Sequence, residues 1–146
     1  MKKAMNNKGF SLVELIIVVA IMAVLVGVLA PQYIKYLDKS KVGADKQLAD
    51  NLKQAITTTI LDPTITDGLN ASGSYTAGSK TTMADIGSTS FWKEVYGIMG
   101  ATSLSDLKTK LKYNTGATIS YTITTTKGVI ISVDYASGDP YNFSIN

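Results

Sequence analysis

From Leu15 to Ala30 no residue is charged, and only Gly27 interrupts the apolar side chains. Extended back to Phe10, the run covers 21 residues, about 32 Å as a helix at roughly 1.5 Å per residue. The hydrocarbon core of a bilayer is about 30 Å thick. A helix buried in a soluble protein is rarely apolar on every side. The run therefore predicts a segment that enters a membrane.

Charge gives that segment a direction. Lys2, Lys3 and Lys8 precede it, and a positive flank favours the cytoplasmic side. Lys35, Lys39, Lys41 and Lys46 follow it, opposed by Asp38 and Asp45. The short tail and the large C-terminal body favour a cytoplasmic N-terminus. The net charge of +3 also belongs to that tail, because the lysines after Phe10 equal the acids in number. A nucleic-acid binder carries its basic excess in its folded body, so no specific nucleic acid is expected as a partner. The chain has no Cys, no His and no Arg. That removes thiolate chemistry, the usual general base and the commonest metal ligands. No catalytic residue, metal site or cofactor is expected, and the chain reads as a non-enzyme.

A cleaved secretory signal is the competing reading of the N-terminus. Val28-Leu29-Ala30 offers a small-residue cut site, but Pro31 would follow the cut and hinder it. Glu14 is also out of place in such a signal. A carboxylate inside a bilayer marks a functional candidate, although one near the interface can snorkel towards water. Once packed among other helices, it needs a partner. Cutting after Gly9 would create one. The new α-amino group of Phe10 could pair with Glu14 of its own or a neighbouring chain.

The stretch Lys8-Gly9-Phe10-Ser11-Leu12-Val13-Glu14-Leu15 resembles the processing motif of the class III signal of type IV pilins and pseudopilins. The resemblance continues through the apolar run to Pro31, Tyr33 and Tyr36. It implies a leader of residues 1–9, removed after Gly9 by a membrane-embedded prepilin peptidase that also methylates the amine of Phe10. It also implies that Glu14 acts in assembly, pairing with the N-terminus of an adjacent subunit, and that Pro31 belongs to the assembling segment. Residues 10–31 are then a transmembrane and filament-core helix, and residues 32–146 a globular head.

The helix is expected to run on past Pro31 as far as Leu61, with Asp62-Pro63 as its stop. Ile34, Leu37, Ala44, Leu48, Leu52, Ile56 and Ile60 recur mainly at helical spacing, and Lys39, Asp45, Lys46, Asp50 and Lys53 are read onto the opposite face. The helix would thus have an apolar first half and an amphipathic second half. Pro31, with Gly27 before it, predicts a kink or a melted stretch between them.

Residues 63–80 are rich in Gly, Ser, Thr and Asp and read as loop. Asn70-Ala71-Ser72 and Asn142-Phe143-Ser144 match a glycosylation acceptor pattern that is common by chance. Two short helices follow. One lies within Ser90 to Met99, where Phe91 and Trp92 suit core packing or a subunit contact. The other has Ser103 as N-cap and Leu104, Leu107 and Leu111 on one side. Its Lys108, Lys110 and Lys112 read as a solvated face, with a small anion or DNA patch as the alternative.

The C-terminus alternates as sheet. Ile119, Tyr121 and Ile123 form one strand, Val129, Ile131, Val133 and Tyr135 the next, and Tyr141, Phe143 and Ile145 a last short one. Lys127-Gly128 and Ser137-Gly138-Asp139-Pro140 supply the turns. The predicted fold is α+β: a long N-terminal helix packed on a C-terminal antiparallel meander, with a helix-bearing connecting loop. Many type IV pilins tie this end with a disulfide. Without Cys, it must be held by packing and hydrogen bonds or by neighbouring subunits.

The resemblance implies a structural subunit of a type IV pilus. The precursor would sit in the cytoplasmic membrane with its N-terminus inside. Pilus assembly machinery would then extract it into a helical homo-oligomeric surface filament serving adhesion, motility, biofilm formation or DNA uptake. A pseudopilin of a type II secretion or competence system is the alternative. A monomeric membrane-anchored adhesin or enzyme is a third reading of a different class.

Overall fold

One helix, α1 (Leu12–Leu61), takes up 50 residues. A computed structural model describes residues 9–62, 64–65, 81–82, 89–123 and 128–146. The chain divides into two compact units after Leu37.

The described part of the first unit is the apolar part of α1 with the residues that open it. Between Phe10 and Leu29, fifteen large apolar side chains are exposed. Burying each would contribute about 1.5–3 kcal/mol, so this helix is far from its resting state in water. It is the one helix among the described residues long and apolar enough to cross a membrane. The helix continues through Gly27 and Pro31, so the expected melted stretch is not observed. Proline's fixed φ is compatible with a helix, although it removes the bond that the Gly27 carbonyl would accept and crowds the preceding turn.

The second unit, Asp38–Asn146, is built on the rest of α1. Val42, Asp45, Ala49, Leu52, Ala55, Ile56 and Thr59 are its buried stripe. Leu48 and Ile60 pack partly buried against the core, whereas Ile34, Leu37 and Ala44 are exposed. Asp45 corrects the sequence reading: it belongs to the buried stripe, not to the polar face. The helix ends at Leu61, where the Asp62 carboxylate accepts bonds from the Thr64 amide and hydroxyl at 2.8 and 2.7 Å. Those bonds hold the Asp62 carboxyl below its ordinary range.

Helix α2 (Ser90–Ile98) is capped by Thr89, whose side chain accepts from the Trp92 amide. It ends in a Schellman arrangement. Gly100 adopts a φ of 61°, and the Ala101 amide reaches back to the Tyr96 carbonyl at 2.8 Å. Such a left-handed position suits glycine. Helix α3 (Leu104–Thr109) opens on Ser103, which accepts from the Asp106 amide.

The sheet contains β1 (Thr81–Thr82), β2 (Thr118–Ile123), β3 (Val129–Asp134) and β4 (Phe143–Ile145), in that order and all antiparallel. The expected meander is present, with β1 added at its edge. The loop reading of residues 66–80, the first acceptor pattern at Asn70 and the turn at Lys127 fall outside the described residues. Ile119, Tyr121, Ile123, Val129, Ile131 and Val133 face the core, where they join the α1 stripe, Leu107, Leu111 and the aromatic group of Phe91 and Trp92. Trp92 meets Phe91 edge-on at 5.2 Å and lies 5.4 Å from the Tyr121 ring, so this pair is core packing.

Candidate functional site

The start of α1 is where the sequence concentrates its candidates, and its geometry is short-range. Ser11 precedes the first helical residue. Its hydroxyl accepts from the Val13 amide at 3.3 Å. The Glu14 carboxylate turns back and accepts from the Ser11 amide at 2.9 Å through Oε2. The Ser-x-x-Glu spacing is that of a capping box, with the hydroxyl on the Val13 amide instead of the Glu14 amide, and it satisfies two amides that a helix start leaves without partners. A negative charge in the first turn also complements the helix dipole. Among the described residues, Glu14 has no cation within ion-pair reach. The one such pair is Asp38 with Lys41 at 3.9 Å.

Gly9 and Phe10 lie just outside this cap. Phe10 is 91% exposed. A Cβ added at Gly9 would meet nothing within 4 Å. Pro31 lies inside α1 and is exposed, as are Tyr33 and Tyr36. A Cβ at Gly27 also meets open space. The structure thus brings Gly9, Phe10, Ser11 and Glu14 together at one helix start. Pro31 is more than four helical turns further along.

A second polar constellation, around Asp45, escapes the sequence reading. Asp45 is 1% exposed. Its Oδ1 accepts from the Lys112 amide at 2.6 Å, and its Oδ2 from the Tyr113 amide at 3.1 Å and the Tyr135 hydroxyl at 2.7 Å. Burial first, and the bond to Asp45 second, push the Tyr135 hydroxyl far above its ordinary range, which keeps it a donor. Burial, then the charge of Asp139, raise Tyr113 in the same direction. The sequence signal for Asp45 is its phase, because it falls on the helical track from Val42 to Ala49 and Leu52.

The remaining sequence candidates are quieter. Asn142 is engaged on both sides of its amide: Oδ1 accepts from the Tyr135 amide, and Nδ2 donates to the Ala136 carbonyl, each at 2.8 Å. Lys108 and Lys110 are half-buried and Lys112 is exposed.

A bare apolar helix opened by a capped acid, leading into an α+β head with an antiparallel sheet, is a type IV pilin-like architecture. Comparison with known proteins agrees. The prokaryotic N-terminal methylation motif matches residues 4–30. The chain is 36% identical to a type IV major fimbrial protein FimA of Dichelobacter nodosus over 89 residues, covering 56% of this chain and 57% of that protein. A second FimA of that species is 29% identical over 135 residues, covering 90% of this chain and 69% of the relative. A fimbrial protein of Moraxella nonliquefaciens is 42% identical over 52 residues, 36% of this chain and 34% of that protein. The matched region spans between about a third and just over two thirds of the length of these relatives. No solved structure matches. Over residues 4–30 the chain carries the prepilin-like N-terminal motif, and its similarity to type IV major fimbrial proteins supports a pilin subunit.

Proposed function

We propose that this chain is the subunit of a type IV pilus. In this reading residues 1–9 are a leader, residues 10–31 serve first as lipid anchor and then as filament core, and residues 32–146 form the head. A prepilin peptidase cuts between Gly9 and Phe10, and Phe10 is methylated on its new amine. Pilus assembly machinery then moves the subunit from the cytoplasmic membrane into a surface filament of its own copies. The observation that carries the reading is the apolar helix exposed on every side and opened by the Ser11–Glu14 box.

Moving that helix from lipid into contact with its copies changes little apolar exposure, because lipid tails are as apolar as leucine. Packing and polar contacts must therefore set assembly and register. Glu14 is suited to this. One of its oxygens holds the Ser11 amide, and the other is available to the amine that cleavage exposes on a neighbouring chain. Pro31 and Gly27 leave one carbonyl without its helical donor, which makes this stretch the point where α1 yields most easily in the packed core. The major fimbrial relatives favour a pilin over a pseudopilin.

The test combines mass spectrometry of the mature chain with electron microscopy of sheared surface material. The expected result is a first residue at Phe10 carrying one methyl group, recovered from long fibres that vanish on deleting the gene. An intact Met1 or a start at Pro31 refutes the processing. A correctly processed chain that gives no fibres, with secretion lost on deletion, refutes the pilin in favour of a pseudopilin.

A further inference from the structure

A head without cysteine needs some other tie between its C-terminal sheet and the helix that carries it. We infer that Asp45 is that tie: from one point on α1 its carboxylate holds both the segment leaving α3 and the end of β3, in place of a covalent cross-link.

The connections are all long-range. Lys112, Tyr113 and Tyr135 lie 67, 68 and 90 residues from Asp45 in sequence. Helix α3 has ended by Lys112. The Lys110 and Leu111 amides still bond back to Leu107 and Lys108 at 3.1 Å, and the next two amides go to Asp45 instead. From Tyr135 the network runs onward. The Tyr135 amide donates to Asn142, Asn142 donates to Ala136, and the Tyr141 amide donates to Asp139 at 2.8 Å. The Tyr113 ring meets Tyr135 and Tyr141 edge-on at 4.7 and 5.2 Å. These bonds carry the hold from Asp45 to within a few residues of the last strand.

The residue type follows from the donors. Two are backbone amides, which cannot turn round and accept. A carboxylate presents only acceptors on both oxygens. Asparagine offers one acceptor and one NH₂ group. In either orientation that NH₂ group faces the Lys112 or the Tyr113 amide, donor against donor. A leucine would leave all three donors without this partner.

The tie differs from a disulfide in one respect. A disulfide acts largely by restricting the unfolded chain, whereas Asp45 acts only in the folded state. Its loss should therefore show as local opening of the segments it holds. Peptide-resolved hydrogen exchange on the full chain in detergent micelles reads this directly. In Asp45→Asn, exchange should rise at least tenfold, about 1.4 kcal/mol of protection, in peptides covering residues 110–114 and 135–146. Helix α2 should stay at its wild-type rate. Tyr135→Phe removes one donor and leaves the helix residue intact. It should raise exchange in the same peptides by a smaller factor and decides the matter if Asp45→Asn fails to fold. Wild-type exchange in those peptides overturns the inference, as does a rise of equal size in α2, which would mark general loosening of the core.

Discussion

Replacing Glu14 with glutamine separates its observed role as a helix cap from its proposed role in pairing. In the single chain, Oε2 accepts from the Ser11 amide at 2.9 Å, and glutamine serves equally well at this place in a capping box. A lost helix cap costs about 0.5–2 kcal/mol, so Glu14→Gln keeps that contribution and Glu14→Leu loses it. Pairing with a neighbour's α-amine needs the charge. A hydrogen bond involving a charged group contributes about 1.5–3 kcal/mol, which is roughly a 10- to 150-fold change in the association constant of each subunit contact. Glu14→Gln should therefore insert, be cut after Gly9 and leave α1 intact, yet give sheared-filament yields reduced almost as far as those of Glu14→Leu. Membrane fractionation, N-terminal mass spectrometry and the filament yield read the three steps separately. Wild-type yield from Glu14→Gln, with Glu14→Leu impaired, would reduce Glu14 to a helix cap and refute the pairing.

The head makes two further predictions. Because Tyr135 has its hydroxyl pKa raised above the ordinary 10.0, the folded state holds that proton more tightly than the unfolded one. The stability it contributes is complete below about pH 10 and is lost as pH rises beyond it. Denaturation midpoints of the full chain between pH 8 and 11 should fall at the alkaline end, and less steeply in Tyr135→Phe. Tyr113, raised in the same direction, supplies a remainder, and identical slopes would refute the assignment. Separately, Ile131 is fully buried and lines a small cavity of about 10 Å³ with Leu52, Leu107 and Ile119. Ile131→Ala enlarges that void and should cost about 2–5 kcal/mol in denaturant unfolding, whereas a loss below 1 kcal/mol would mean that the surrounding core collapses to fill it.

How far the fold could be read from the sequence depended on how local each cause was. The apolar run, the cap at Ser103 and the alternation of β2 and β3 are set within a few residues, and each is legible. Strand β1 is two residues long, too short for any period to register. Its place comes from pairing with Ser120 and Tyr121. Tyr135 continues the alternation of β3 but lies just past its end, because the chain turns there towards Gly138, whose φ of 77° suits glycine. The capping box at Ser11 has a sequence signature, yet in an apolar run a lone acid draws attention to a missing charge partner before a neighbouring amide. Asp45 is the extreme case. A hydropathy pattern assigns an acid to the wet face, and the three donors that reverse this come from segments 67 to 90 residues away.

Glu14 and Asp45 stand on the same helix and solve opposite problems. Glu14 is satisfied by an amide three residues away, and among the described residues that bond is its only one. It is exposed, and its second oxygen is the one that the proposed pairing assigns to a neighbour's amine. Asp45 is enclosed, and both of its oxygens are committed to donors within its own head. Their substitutions should therefore fail at different stages. On the proposed pairing, a change at Glu14 leaves a folded head on a chain that does not join its copies. A change at Asp45 loosens the head before assembly is ever tested. Hydrogen exchange in the head should be blind to Glu14→Gln and sensitive to Asp45→Asn, and the reverse pattern would mean that the two acids have been assigned to the wrong tasks.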